Sequence, residues 1–217
     1  MEEFDPLLRL TVGSPIRAEG AMETVALMSD RQIETDVIAA CQRGDREAFR
    51  LLFETYKDRV YSIALYFFGG NEAQASDITQ QVFLKLFTKI GQFRSEAEFT
   101  TWLYRLTTNA CVDEQRKVRR LSQLEETFMA DEVRVAEAQE AGLARRETAA
   151  RVKSAVAELK PKLRVAILLK YFEGLSYEEM AAALGCSKGT VASRLNRGHK
   201  ALARRLQDLR GLLQQGD

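Results

Sequence analysis

The chain has 217 residues, of which 32 are basic and 31 acidic, and 46% of its residues are hydrophobic. This composition is ordinary for a globular protein and excludes an intrinsically disordered chain or a membrane protein. No apolar run approaches the roughly 20 residues of a membrane-spanning helix, and Met1 is not followed by the residue order of a signal peptide. We therefore expect a cytoplasmic protein.

The sequence lacks the residues that metal binding, redox chemistry and phosphate transfer usually require. Cys41, Cys111 and Cys186 are far apart and form no paired CxxC spacing, and His199 is the single histidine. No Gly-rich phosphate-binding motif of the P-loop or dinucleotide type occurs. We therefore expect no metal, no cofactor and no enzymatic activity.

The first 28 residues have no periodic apolar pattern and are predicted to be a flexible extension. No proline occurs between residues 16 and 160, which permits long helices there. Apolar residues recur at helical spacing, and Ser29, Asp45 and Ser95 are placed to cap helix starts. The pattern predicts a first domain over 29–120, with helices at 30–43, 45–68, 72–90 and 95–120.

Residues 121–142 are predicted to be a linker, because the apolar period fades there and acidic residues accumulate. A second helical domain follows over 143–217, where Pro161 suits a first helical turn. Its predicted helices are 143–158, 161–173, 176–184 and 187–213. The predicted fold class is all-α, with two helical domains joined by an acidic linker.

The last two predicted helices have the layout of a helix-turn-helix. Ser176 caps the first, Gly185 supplies a left-handed turn residue, and Ser187 caps the second. Residues 151–217 carry 13 basic and 6 acidic side chains, and 188–205 carry six cations and no acid. This density favours a polyanionic partner over a solvated helix face of mixed charge.

The second of these helices turns Val191 and Leu195 towards the core, so its opposite face is free to enter a DNA groove. Long polar side chains there suit base edges, and cations suit phosphates. The candidate DNA-contacting residues are Lys188, Ser193, Arg194, Asn196, Arg197, His199 and Lys200.

Two of these assignments have alternatives. Arg194 is equally suited to a surface ion pair with Glu178 or Glu179. For His199 an ordinary solvated surface position is the favoured alternative.

The helix-turn-helix resembles region 4.2 of the sigma-70 family, in particular the short extracytoplasmic-function (ECF) sigma factors, in the segments GLSYEEMA (174–181) and GTVASRLNRG (189–198). Residues 36–70 are similar to region 2.1 of that family. The segment DITQQVFLKLF (77–87) is similar to region 2.2, and FTTWLYRLTTNACVDEQRK (99–117) to regions 2.3 and 2.4. The resemblance covers residues 36–205 and includes the order of the segments.

The resemblance implies core RNA polymerase and promoter DNA as partners, and an anti-sigma factor as a regulator. In the family, region 2.2 docks on the clamp helices of the largest polymerase subunit. This implies polymerase binding by Asp77, Gln80, Gln81 and Lys85. A flipped base of the non-template strand sits in the family by residues that match Phe93 and Asn109.

The chemistry of strand opening also fits residues 93–120. Opening a duplex without ATP requires aromatic faces for an unstacked base, a side chain that reads its edge, and cations on the backbone. Trp102 has a core position as its alternative. The candidate residues are Phe93, Trp102, Tyr104, Arg105, Asn109, Arg116, Lys117, Arg119 and Arg120.

Two other functions compete with this interpretation. A stand-alone helix-turn-helix regulator would dimerise on paired half-sites but leaves the features around Asp77, Phe93 and Asn109 unexplained. An all-α adaptor without a nucleic-acid role would make the basic C-terminal segment incidental. Ala192 and Asn196 depart from many members of the family, so the sequence of the upstream promoter element does not carry over.

Overall fold

The structure is a computed structural model that describes residues 35–94, 98–125 and 143–207. Within these ranges the chain is all-α, as predicted, and no described helix is long and apolar enough to cross a membrane. The elements are α1 (35–42), α2 (Arg46–Phe67), α3 (Glu72–Lys89), a 3₁₀ turn (Ile90–Gln92), α4 (Phe99–Glu125), α5 (Leu143–Ala157), α6 (Pro161–Tyr171), α7 (Tyr177–Leu184) and α8 (Lys188–Arg205).

Helix starts follow the predicted capping residues. The Asp45 carboxylate accepts hydrogen bonds from the backbone N–H groups of Glu47 and Ala48 at 2.8 and 3.1 Å. Pro161 occupies the first turn of α6. The predicted caps at Ser29 and Ser95 lie outside the described residues.

The helix-turn-helix is confirmed in its local detail. Ser176 and Glu179 form a reciprocal capping box at the start of α7. Gly185 ends α7 with a φ of 58°, a left-handed conformation that a side chain would disfavour. Ser187 then caps α8 by accepting from the N–H of Thr190.

Several predicted helix boundaries differ from the observed ones, most of all those of α4 and α8. Helix α4 begins at Phe99 rather than 95 and continues to Glu125, so the first five residues of the predicted linker are helical. Residues 126–142 lie outside the described part of the chain. Helix α8 ends at Arg205 rather than 213, with Leu206 as its C-cap.

The first helical unit, α1 to α4, packs α2 against α3 and lays α4 across both. The apolar residues of α3 that repeat at helical spacing, Ile78, Val82, Phe83 and Leu86, are all buried. Phe67 and Leu103 join them in the core. Burying each such side chain contributes roughly 1.5–3 kcal/mol, so the apolar period determines how this bundle packs.

The second unit, α5 to α8, is built around α6. Six consecutive residues of α6, 164–169, are buried, which is the pattern of a helix surrounded on all sides. Helix α8 lies close to it at Gly198, where an added Cβ would stand 3.0 Å from Ile167 Cγ1. The small residue therefore permits the close packing of α6 and α8.

The two units pack against each other. Arg164, on α6, is buried with an exposed fraction of 4%, and its Nη1 donates to the carbonyl oxygen of Phe67 at the end of α2, 2.5 Å away. Its Nη2 donates to the carbonyl oxygens of Ala157 and Leu159. Burial lowers the pKa of this guanidinium to about 10, which leaves it charged at neutral pH.

A second polar contact joins the units at Glu173. The Tyr104 hydroxyl of α4 donates to Glu173 Oε2 at 2.5 Å, and Arg59 Nε of α2 lies 3.4 Å from the same oxygen. The rings of Tyr66 and Phe172 meet edge to face, with centroids 4.3 Å apart. The two predicted domains thus share one continuous core, because buried apolar side chains of α6 pack against the first unit as well as against the rest of the second.

Candidate nucleic-acid and polymerase interface

Helix α8 presents the predicted recognition face. Val191 and Leu195 are buried, as expected, and Ser193, Asn196, Arg197 and Lys200 are exposed on the other side. Arg197 Nε makes a 3.3 Å hydrogen bond to the carbonyl oxygen of Ser193. This single local bond leaves the guanidinium within reach of a base edge.

An ion pair joins α7 to α8 through Lys188. Lys188 Nζ lies 2.6 Å from Glu178 Oε1, and both side chains are exposed. The hydrogen bond from Lys188 lowers the pKa of the Glu178 carboxyl. Arg194 is half-buried. A phosphate at the start of α8 would have to compete with Glu178 for Lys188.

His199 differs from both of its predicted placements. Its Nε2 lies 2.8 Å from the Tyr171 hydroxyl, and the side chain is half-buried between α6 and α8. Burial lowers the pKa of the imidazole. The position follows from the helical period, because residue 199 lies one turn after Leu195 and on the flank of the core stripe. In this structure His199 joins two helices instead of facing a groove.

The aromatic cluster lies where the 3₁₀ turn meets α4. Phe93 is half-buried, and its ring centroid is 5.7 Å from that of Phe99 and 5.4 Å from that of Trp102. Phe99 itself is buried. Trp102 is half-buried, so its indole packs on the core and still has an exposed part. Asn109 is exposed two turns further along α4.

The structure contradicts the predicted role of Tyr104 in contacting opened DNA. Its exposed fraction is 4%, and its hydroxyl donates to Glu173 of the second unit. Burial, followed by the neighbouring Glu173 charge, raises the pKa of the phenol. The ring therefore cannot stack on a base in this arrangement. This face of α4 packs against the second unit instead of facing DNA. The apolar pattern of α4 alone does not reveal that contact.

The predicted cations of α4 are exposed. Arg116 and Lys117 form ion pairs within the helix, with Asp113 at 3.3 Å and Glu114 at 3.8 Å. Exposed pairs of this kind are worth at most about 1 kcal/mol, so a phosphate could displace the acids. The other cations with exposed positions are Arg105, Arg119 and Arg120.

Helix α3 carries the predicted polymerase-binding residues on one exposed face: Asp77, Gln80, Gln81 and Lys85. Two apolar residues missed by sequence reasoning share it, Leu84 with an exposed fraction of 66% and Phe87 with 54%. Leu51 of α2 is also exposed, at 52%. The signal was available, because Leu84 and Phe87 are out of phase with the buried stripe of α3.

Comparison with known proteins supports this description. The sigma-70 region 2 model matches residues 52–121, and the sigma-70 region 4 model matches residues 149–202. The RNA polymerase sigma-H factor of Pseudomonas aeruginosa is 33% identical over 190 residues, which cover 84% of this chain and 98% of that protein. The ECF RNA polymerase sigma factor SigW of Bacillus subtilis is 32% identical over 180 residues, which cover 79% of this chain and 96% of that protein.

A solved structure agrees with these relatives. The sigma factor RpoE of Bartonella quintana, crystallised with the anti-sigma factor NepR, is 26% identical and has a TM-score of 0.59, over 73% of this chain and 96% of that chain.

A region 2 bundle followed by a region 4 helix-turn-helix defines a sigma factor of the sigma-70 family, and this chain belongs to that family. Within the family it is a member of the ECF RNA polymerase sigma factors.

Proposed function

We propose that this chain acts as a sigma factor through three surfaces, one for core RNA polymerase and two for promoter DNA. The general task of an ECF sigma factor is to bind core polymerase and direct promoter-specific initiation, and family membership supports that task for this chain. The chain itself would catalyse nothing and would act in the cytoplasm beside the polymerase.

The polymerase surface is the exposed face of α3. It combines Asp77, Gln80, Gln81 and Lys85 with the exposed side chains of Leu84 and Phe87. An apolar centre with a polar rim is the usual anatomy of a protein interface. A change of Leu84 to Ser should therefore weaken binding to core polymerase. Leu121 is similarly exposed but lies on α4, so Leu121→Ser is its matched control.

The upstream surface is the exposed face of α8. Arg197 and Asn196 would read base edges in the major groove, while Lys188, Arg194 and Lys200 would contact phosphates. Ser193, one turn before Arg197, lies on the same exposed face and would be a further contact. His199 contributes by holding α8 on α6 through Tyr171 rather than by touching DNA.

The downstream surface is the aromatic cluster at the start of α4 together with Asn109. Phe93 and the exposed part of Trp102 would receive an unstacked base, and Asn109 would read its edge. Arg105, Arg116, Lys117, Arg119 and Arg120 would hold the backbone. The observation that carries the proposal is that the matched regions expose long polar side chains and a row of cations on α4 and α8, beside the partly exposed rings of Phe93 and Trp102.

An anti-sigma factor is the expected regulator. The solved structure of RpoE from Bartonella quintana contains such a factor, NepR. By analogy, a regulator of this chain would cover the exposed face of α3 or the DNA-reading face of α8.

In vitro transcription tests the proposal. Purified chain is mixed with core polymerase and genomic fragments, and the start sites of the transcripts are mapped. We expect discrete starts that depend on the chain. A dimer that binds DNA but is indifferent to polymerase would instead indicate the stand-alone regulator. DNA binding that does not weaken between about 50 and 200 mM salt would indicate the adaptor.

A further inference from the structure

The side chain of Gln42 connects α1 to the 3₁₀ turn across about fifty residues of sequence. Its Nε2 donates to the carbonyl oxygen of Ile90 at 3.0 Å and to that of Phe93 at 2.9 Å. These carbonyls lie at the two ends of the turn, and the N–H of Phe93 donates to the same Ile90 oxygen at 3.1 Å. A single amide group therefore holds both ends of the segment that carries Phe93.

The position of Gln42 is itself fixed. Ile38 and Cys41 of α1 are buried with exposed fractions of 6% each. After α1 the chain turns through Gly44, whose φ of 88° suits a glycine. The N–H of Asp45 donates to the Ala40 carbonyl oxygen at 3.1 Å, and Asp45 then caps α2. The backbone at Gln42 is thus held from both sides.

The chemistry demands a side chain with two donors on one atom. A primary amide supplies two N–H groups, and both partners here are acceptors only, so the amide must present its nitrogen to them. A glutamate of the same length would present two acceptors to two carbonyl oxygens. A methionine of similar length would present neither donor.

We propose that Gln42 is a positioning residue for base capture: by holding both carbonyls of the 3₁₀ turn, it fixes the Phe93 ring in the orientation that receives the flipped base. This inference rests on the proposed role of Phe93. Among the residues that the structure describes, the ring packs against the side chains of Phe99 and Trp102, which contact it from one side. Without Gln42 the turn would sample other orientations. Base capture would then require additional free energy to order the turn.

Gln42 is at the surface, so its loss should disturb capture more than stability. The test uses holoenzyme and the promoter obtained by start-site mapping. 2-Aminopurine replaces a base in the downstream promoter element, the segment that the sigma factor would open, and its fluorescence reports unstacking. We expect Gln42→Glu and Gln42→Met to slow the fluorescence rise about tenfold. Binding to core polymerase and the urea midpoint of the free chain should be unchanged. Gln92→Glu, an exposed change in the same turn, controls for the added charge and should open within about twofold of the parent.

A double-mutant cycle with Phe93→Ala separates this inference from the function on which it rests. If Gln42 acts through Phe93, Gln42→Met should have little further effect in the Phe93→Ala background. Normal opening by both Gln42 variants, or effects that add to that of Phe93→Ala, would overturn the positioning role and leave base capture intact. Normal opening by Phe93→Ala would overturn base capture itself and the role of Gln42 with it.

Discussion

The guanidinium of Arg164, in the second helical unit, donates to the carbonyl oxygen of Phe67, in the first, at a distance of 2.5 Å. The same guanidinium lies over the Phe67 ring, 4.6 Å from its centroid. Its other hydrogen bonds go to carbonyls at the end of α5. One buried cation thus satisfies the open C-terminal carbonyls of two helices from different units, where the helix dipoles favour positive charge.

Removing this cation should destabilise the fold. Arg164→Met fills a similar volume but leaves the carbonyls of Phe67, Ala157 and Leu159 without their donor. We expect a loss of about 2–4 kcal/mol in the free energy of unfolding, measured in urea. Lys162→Met, an exposed change in the same helix, should cost less than about 0.5 kcal/mol. Equal stability of the two variants would contradict the role given to Arg164.

The free energy of unfolding should depend on pH through the carboxyl of Glu173. Burial raises the pKa of its carboxyl above the ordinary value of 4.5, so the folded state binds this proton more tightly than the unfolded state. The contribution is fully present below the unfolded pKa and is lost as pH rises through the folded pKa. Stability of the parent should therefore fall relative to Glu173→Gln as pH rises from about 4.5, the ordinary value.

Urea unfolding of both proteins across that range measures the difference. Glu178→Gln is the control, because Lys188 lowers the pKa of the Glu178 carboxyl. The parent should therefore gain stability relative to Glu178→Gln as pH rises, the opposite of the trend expected for Glu173→Gln. A parent that gains stability relative to Glu173→Gln with rising pH would refute the buried-carboxyl account.

Two glycines of α8 form a matched pair. An added Cβ at Gly198 would stand 3.0 and 3.1 Å from two carbons of the buried Ile167, whereas at Gly189 the nearest atom is the Ser187 hydroxyl oxygen at 3.9 Å. Both changes replace a glycine of α8 by alanine, the better helix former. We therefore expect Gly198→Ala to be less stable than Gly189→Ala by about 1–2 kcal/mol in urea unfolding. Equal stabilities would show that α6 and α8 do not pack as closely as described.

Arg197 should determine specificity at one base pair of the upstream element. Arg197→Ala is expected to cost about 1–3 kcal/mol of promoter binding if the guanidinium bonds a guanine, and to relax the preference at that position alone. Lys200→Ala should instead weaken binding to all sequences and lower the salt slope by about one. Competition binding of holoenzyme to promoter variants distinguishes the two, and a uniform loss with Arg197→Ala would assign that residue to phosphate.

The features that sequence predicted well are local. The caps at Asp45, Ser176 and Ser187 and the turn at Gly185 depend on residues within one helical turn, so they can be read from the chain directly. The exposed face of α8 followed from two buried apolar residues four positions apart.

The features that sequence missed depend on distant partners. Tyr104 and Glu173 are 69 residues apart and acquire their roles only when the two units dock. The sequence predicts an outward-facing His199 because its partner, Tyr171, lies on another helix. The exposed side chain of Leu84 is an exception, because the helical phase of α3 alone places it on the surface.

Transcription from a mapped promoter by core polymerase with and without the chain tests the central claim most directly, when the parent is compared with Asn109→Ala. We expect both proteins to join the polymerase, the parent to start transcription at one discrete site, and Asn109→Ala to fail to open the same duplex. A correctly folded parent that neither joins core polymerase nor produces a discrete start would contradict it.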